Sequence, residues 1–146
     1  MKTSVRHFGI SVKNLAKMQK FFTHNLGFKI LRKMKERGNF IDKILNLKNV
    51  KVTTVKLKDK QNNIIELLKF HNYSNKSRNW EGKIYSIGPT HIALNVKNLD
   101  SFFLKNKKNN KFKFNCPPQI SQDGKAKVTF CKGPEKLIIE LVEVLN

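Results

Sequence analysis

From residue 5 the chain alternates in character. His7, Gly9 and Ser11 fall on one side and Phe8, Ile10 and Val12 on the other, which predicts a strand over residues 5–12. The period then lengthens. Asn14 stands where a helix N-cap would, and Leu15, Met18, Phe21, Phe22 and Leu26 recur at helical spacing until Gly27 stops the run. Alternating segments predict further strands over residues 28–35, 50–57 and 63–70, with a short helical excursion at 40–47. The order is βαβββ with an insert.

The second half repeats this plan. Strands are expected over residues 90–96, 126–131 and 137–144, a helix over 99–108 and a weak strand near 112–116, with Pro117-Pro118 and Gly133-Pro134 marking turns. Residues 71–87 keep no period and are rich in Asn, Ser and Lys, as a connector would be, with Trp80 and Tyr85 expected to pin it down. The organisation is therefore a first module over 1–70, the connector 71–87 and a second module over 88–146, together one domain spanning 1–146. The repetition extends to the residues themselves. HFGISVKNL starts at His7 and HIALNVKNL at His91, while IIEL occurs at residues 64–67 and again at 138–141.

A duplicated unit with histidine at its first strand and glutamate on its last suggests two related half-sites. Glu66 shares a strand face with Ile64 and Leu68, and Glu140 shares one with Ile138 and Val142. A carboxylate among apolar neighbours requires a cation or hydrogen-bond donors. His7, Glu66, His91 and Glu140 form a mixed nitrogen and oxygen set suited to a divalent ion such as Zn, Ni, Co, Fe or Mn. Taken singly, each is more simply a hydrogen-bonded histidine or a lysine-paired glutamate; it is recurrence at the same phase that favours ligation. His24 and His71 lack that support and are expected to be exposed.

Composition limits the alternatives. The 146 residues, 39% of them hydrophobic, suffice for one ordinary core, and no apolar run is long enough to cross a bilayer. The N-terminus lacks the pattern of a secretory signal, so a cytoplasmic protein is expected, with no membrane partner. Cys116 and Cys131 lack CxxC spacing and are expected to be reduced structural thiols. The net charge of +20 would ordinarily suggest nucleic acid. Lysine is instead spread along the whole chain among frequent asparagines, so no nucleic-acid partner is expected, although the positive field would attract an anionic small substrate.

The segments RHFGISVKNLAKMQKFFTHNLGFKI, NNIIELLKF, GPTHIALNVKNLD and KLIIELVEV, in this order, resemble the vicinal oxygen chelate superfamily. That group includes glyoxalase I, methylmalonyl-CoA epimerase, extradiol dioxygenases and fosfomycin- and bleomycin-resistance proteins. The resemblance covers nearly the whole chain. It implies an α+β, glyoxalase-like fold in which two paired βαβββ modules form a curved sheet that cups one divalent metal ion. It also implies that His7, Glu66, His91 and Glu140 are the metal ligands. Members often dimerise, some forming the cup between subunits, so a homodimer is expected.

By the same resemblance the protein is a metal-dependent isomerase or lyase, of the lactoylglutathione lyase or methylmalonyl-CoA epimerase type, that removes a proton beside a carbonyl of a small substrate. Glu140, then Glu66, is the base. Dioxygenases of the family usually lack a carboxylate at the position of Glu66, and drug-sequestering members commonly lack the metal set. An extradiol-type dioxygenase and a non-catalytic ligand-binding or drug-sequestration protein are the alternatives. Glutathione-using bacterial relatives carry arginine where Ser11 stands and commonly Asn where Phe70 stands, which argues against glutathione. The epimerases generally carry Gln where Glu66 stands. The insert ERGNFIDKILNLKNV is expected over one mouth of the cup, with Arg37 and Lys43 facing water.

Overall fold

A computed structural model describes residues 2–73 and 83–145. The chain divides into two compact units, Met1–Ser77 and Arg78–Asn146. In the first unit, β1 (Phe8–Ser11) leads to α1 (Leu15–Lys20), which is continued by a π-helical turn over Phe21–Asn25. Then follow β2 (Lys29–Arg37), α2 (Asn39–Leu45), β3 (Lys51–Lys58) and β4 (Ile64–Phe70). The four strands form one sheet in the order β1-β4-β3-β2, with β1 and β4 parallel and the other pairs antiparallel.

Local chemistry sets the boundaries of α1 and its extension. The Asn14 side chain accepts the Lys17 backbone N–H at 2.9 Å, satisfying a donor that the first helical turn leaves open. At the far end Thr23 Oγ1 donates back to the Gln19 carbonyl at 3.0 Å, where the helix widens into its π turn. Gly27 adopts φ +75°, and the Phe28 N–H reaches back to the Phe22 carbonyl at 3.0 Å, which satisfies a carbonyl at the end of the widened helix.

β1 is shorter than the alternation predicts. Its pairing begins at Phe8 with Ile65, one residue into β4, so residues 5 and 6 have no strand to join, and Val5 is exposed. The insert does form a helix. The buried Ile41 packs with Val50 and Val52 against Leu68 and Phe70, which places α2 over the end of the sheet face that also carries Glu66. Arg37 and Lys43 face solvent. After β4 the chain turns back on the sheet: Asn72 bonds Lys51 and Asn49, and the Tyr73 hydroxyl bonds both backbone groups of Lys48.

The second unit comprises β5 (His91–Asn95), α3 (Leu99–Asn106), β6 (Lys113–Phe114), β7 (Gln119–Ile120), β8 (Ala126–Lys132), a 3₁₀ turn at Pro134–Lys136 and β9 (Ile138–Val144). Its sheet runs β5-β9-β8-β6, with β7 also pairing β8. The single weak strand expected at 112–116 is thus two short ones that share β8, separated by Pro117 and Pro118, which have no N–H to offer a ladder. Asn98 caps α3 as Asn14 caps α1, accepting the Ser101 N–H at 2.8 Å. Glu143 on β9 adds a second cap by accepting the Leu99 N–H at 2.9 Å.

The fully buried side chains of β4 and β9, Leu67, Ile139 and Leu141, lie on the face opposite to Glu66 and Glu140. Each glutamate therefore occupies the less buried face of its sheet. Tyr85 is exposed rather than an anchor: a loop with no regular strand or helix to pack on leaves its ring in solvent beside Lys83. Trp80 lies outside the described residues. Among the described residues no helix is long and apolar enough to cross a membrane.

Candidate metal-binding half-sites

In the parallel pair β1–β4, Gly9 lies opposite Glu66. In the parallel pair β5–β9, Ala93 lies opposite Glu140. Each is two residues beyond the histidine of its own module. A small residue there leaves room for the imidazole to lean along the sheet toward the carboxylate. His7 Nε2 lies 3.2 Å from Glu66 Oε2, and His91 Nε2 lies 3.3 Å from Glu140 Oε2. The repeat thus builds the same contact twice. His7 itself precedes β1, whereas His91 is the first residue of β5.

The surroundings of the two pairs differ. Lys56 on β3 lies directly across from Glu66, and its Nζ is 3.5 Å from Glu66 Oε1. Phe130 on β8 occupies the corresponding place across from Glu140, and its ring meets His91 edge to face at a centroid separation of 5.4 Å. Thr90 Oγ1 lies 2.8 Å from His91 Nδ1, so the second ring is held from its far side. Lys56 and Thr90 escape a reading by residue type alone. No signal along the chain singles out Lys56, whose place is set by the β3–β4 register, whereas Thr90 is the immediate neighbour of His91.

The donor set fits a divalent ion. Two ligand atoms about 2.1 Å from a metal lie about 3.0 Å apart at an octahedral edge and about 3.4 Å apart at a tetrahedral one, which brackets both Nε2–Oε2 separations. The pairs are only partly exposed, with Glu66 side-chain accessibility at 13% and Glu140 at 25%, so solvent reaches them without surrounding them. Within each unit the pair stands by itself: among the described residues no three His, Cys, Asp or Glu side chains gather as a ligand group. His24 and His71 are exposed and remain apart from these pairs, engaged by Thr23 and Thr53 respectively. Both cysteines are free thiols, Cys116 exposed and Cys131 buried.

With this geometry in view, comparison with known proteins identifies the class. The family model described as the Glyoxalase/Bleomycin resistance protein/Dioxygenase superfamily matches residues 4–141, and the chain belongs to that family. The family holds many metal-dependent enzymes, glyoxalase I among them, and non-catalytic members as well. No curated protein matches the chain.

Solved structures agree on the fold. A glyoxalase family protein from Bacillus cereus superposes with a TM-score of 0.84 at 17% identity, over 99% of this chain and 98% of that one. The trypanothione-dependent glyoxalase I of Leishmania major gives 0.64 at 22% identity, over 97% and 87%. The genomically encoded fosfomycin resistance protein of Listeria monocytogenes gives 0.61 at 13% identity, over 99% and 96%. The glyoxalase-like α+β fold expected from the repeated motifs is the fold of this chain.

Proposed function

We propose that this protein is a divalent-metal-dependent isomerase or lyase that moves a proton beside a carbonyl of a small, anionic or thioester substrate. The observation that carries this reading is the twofold occurrence of one His–Glu contact, at 3.2 and 3.3 Å, on the partly buried faces of two sheets. A structural duplication need preserve only the apolar pattern, whereas this one has kept an imidazole and a carboxylate together in both copies.

His7, Glu66, His91 and Glu140 would hold one ion of Ni, Co, Zn, Mn or Fe. When bound, the ion supplies Lewis acidity to the substrate's carbonyl and so stabilises negative charge developing there. The remaining work belongs to the protein. The histidines orient the carboxylates, with Thr90 fixing the His91 ring from behind. Glu140 accepts the proton from the carbon beside the carbonyl and returns it to the product carbon or leaving position. It does so through Oε1, the oxygen that His91 does not engage. Glu66 is the second carboxylate able to serve. The substrate is a small molecule, and the working form is a cytoplasmic homodimer.

The test is elemental analysis of protein purified without a chelator or affinity tag, beside the His7→Ala/Glu140→Ala variant. Near-stoichiometric Ni, Co, Zn or Mn that the variant lacks supports the proposal, and the next assays are proton exchange on hemithioacetals and acyl-CoA thioesters. Iron with oxygen uptake on catechols would replace it with a dioxygenase. Failure to take up any supplied divalent ion would leave a ligand-binding protein on an inherited scaffold.

A further inference from the structure

The two half-sites are alike in ligand type and unlike in what lies across the strand from each carboxylate. Opposite Glu66 is an ammonium; opposite Glu140 is a phenyl ring. Lys56 Nζ approaches Glu66 Oε1 at 3.5 Å while His7 Nε2 approaches Oε2 at 3.2 Å, so each oxygen of this carboxylate has its own cationic or imidazole partner. Glu140 meets His91 through Oε2, and among the described residues no lysine or arginine lies within ion-pair distance of it. The Lys56 side chain is itself largely covered, with 24% of its surface accessible, so water screens the contact less than it would a surface pair.

We infer that Lys56 is a positioning residue that separates the roles of the two glutamates: it occupies one oxygen of Glu66, which ligates an ion through the other alone and stays in place, whereas Glu140 keeps an oxygen for the substrate. This rests on the proposed metal-dependent reading. The consequence concerns affinity as well as position. A lysine across from a ligand carboxylate repels a divalent ion and competes with it, so the first half-site is held below the affinity its His–Glu pair could reach. A moderated grip suits a site in which substrate oxygens must also find coordination positions.

The experiment measures divalent-ion affinity of the full chain, by zinc and cobalt competition against a chromophoric chelator, for the wild type and Lys56→Met, Lys56→Arg, Phe130→Lys and Phe130→Met. Lys56→Met should bind at least tenfold more tightly: about tenfold is what full water screening leaves for a unit positive charge roughly 6 Å from a divalent ion, and this contact is screened less. Lys56→Arg keeps the charge and should stay within about twofold of the wild type. Phe130→Lys places the same cation across from Glu140 and should weaken binding by at least about tenfold relative to Phe130→Met, which controls for the lost ring.

Thermal melts of each variant establish that it is folded. If the wild type binds an ion and Lys56→Met binds it no more tightly, the inference is overturned while the metal reading stands. If neither the wild type nor any variant takes up an ion, the metal reading itself fails and this inference with it. Uptake by Lys56→Met alone would overturn both readings, because the natural chain would then hold no ion for Glu66 to ligate.

Discussion

Gly9 offers a prediction whose sign can be worked out in advance. It sits in β1 opposite Glu66, on the face that bears the first His–Glu pair. Its backbone is outside the left-handed region that only glycine tolerates well. A Cβ built there meets one atom, Leu68 Cδ1, at 3.4 Å, an ordinary van der Waals contact. The second module has already made this substitution, since Ala93 lies opposite Glu140 with the His91 contact intact. Gly9→Ala should therefore stabilise the protein by about 0.4–1 kcal/mol, chiefly by narrowing the conformational freedom of the unfolded chain. For a chain near this size that is a rise of about 1–4 °C in Tm.

Gly9→Leu should reverse the gain, because its outer carbons must run past Leu68 into the space over which His7 reaches Glu66. Its Tm should fall below that of Gly9→Ala, and its ion uptake should fall with it. Urea unfolding and differential scanning calorimetry measure the first effect, and chelator competition the second. A Gly9→Ala protein less stable than the wild type would refute the reasoning, since no strained φ and no close contact would then account for the loss.

Other expectations follow from single contacts. Asn14→Ala and Asn98→Ala should each cost about 1 kcal/mol in urea unfolding, because each removes a side-chain acceptor from an N-terminal helical turn. Leu67→Ala and Leu141→Ala, both at fully buried positions, should cost about 2–5 kcal/mol, and native-like stability in either would show that the faces opposite to Glu66 and Glu140 are not the core. A thiol reagent at pH 8 should modify one cysteine per native chain, Cys116, and two in denaturant. Burial pushes the Cys131 thiol up to about 12. Its folded value is thus raised above the ordinary 9.0, so the stability linked to it is present below pH 9 and is lost as pH rises toward 12. Cys131→Ala should flatten that part of an alkaline unfolding series.

The larger part of this architecture can be inferred along the chain because its determinants are local or repeated. Alternation marks the long strands, Asn14 and Gly27 bracket the first helix by capping chemistry, and VKNL occurs twice before a helix that Asn caps both times. That a histidine and a glutamate of each module would come to matching places was also foreseeable, because the repeat carries both residue types at the same phase in each half. The π turn after α1 and the division of one strand into β6 and β7 were not, since they depend on backbone hydrogen bonds that periodicity does not express.

What only the tertiary structure decided is the inequality of the two half-sites. In sequence, Glu66 and Glu140 sit in identical IIEL segments and are interchangeable. The neighbour that distinguishes them is contributed by another strand, Lys56 in one case and Phe130 in the other, and the register of each hairpin sets which residue that is. Sequence alone determined which residues could act together; cross-strand packing decided the charge each one faces, because electrostatic interaction depends on distance in space and not on separation along the chain.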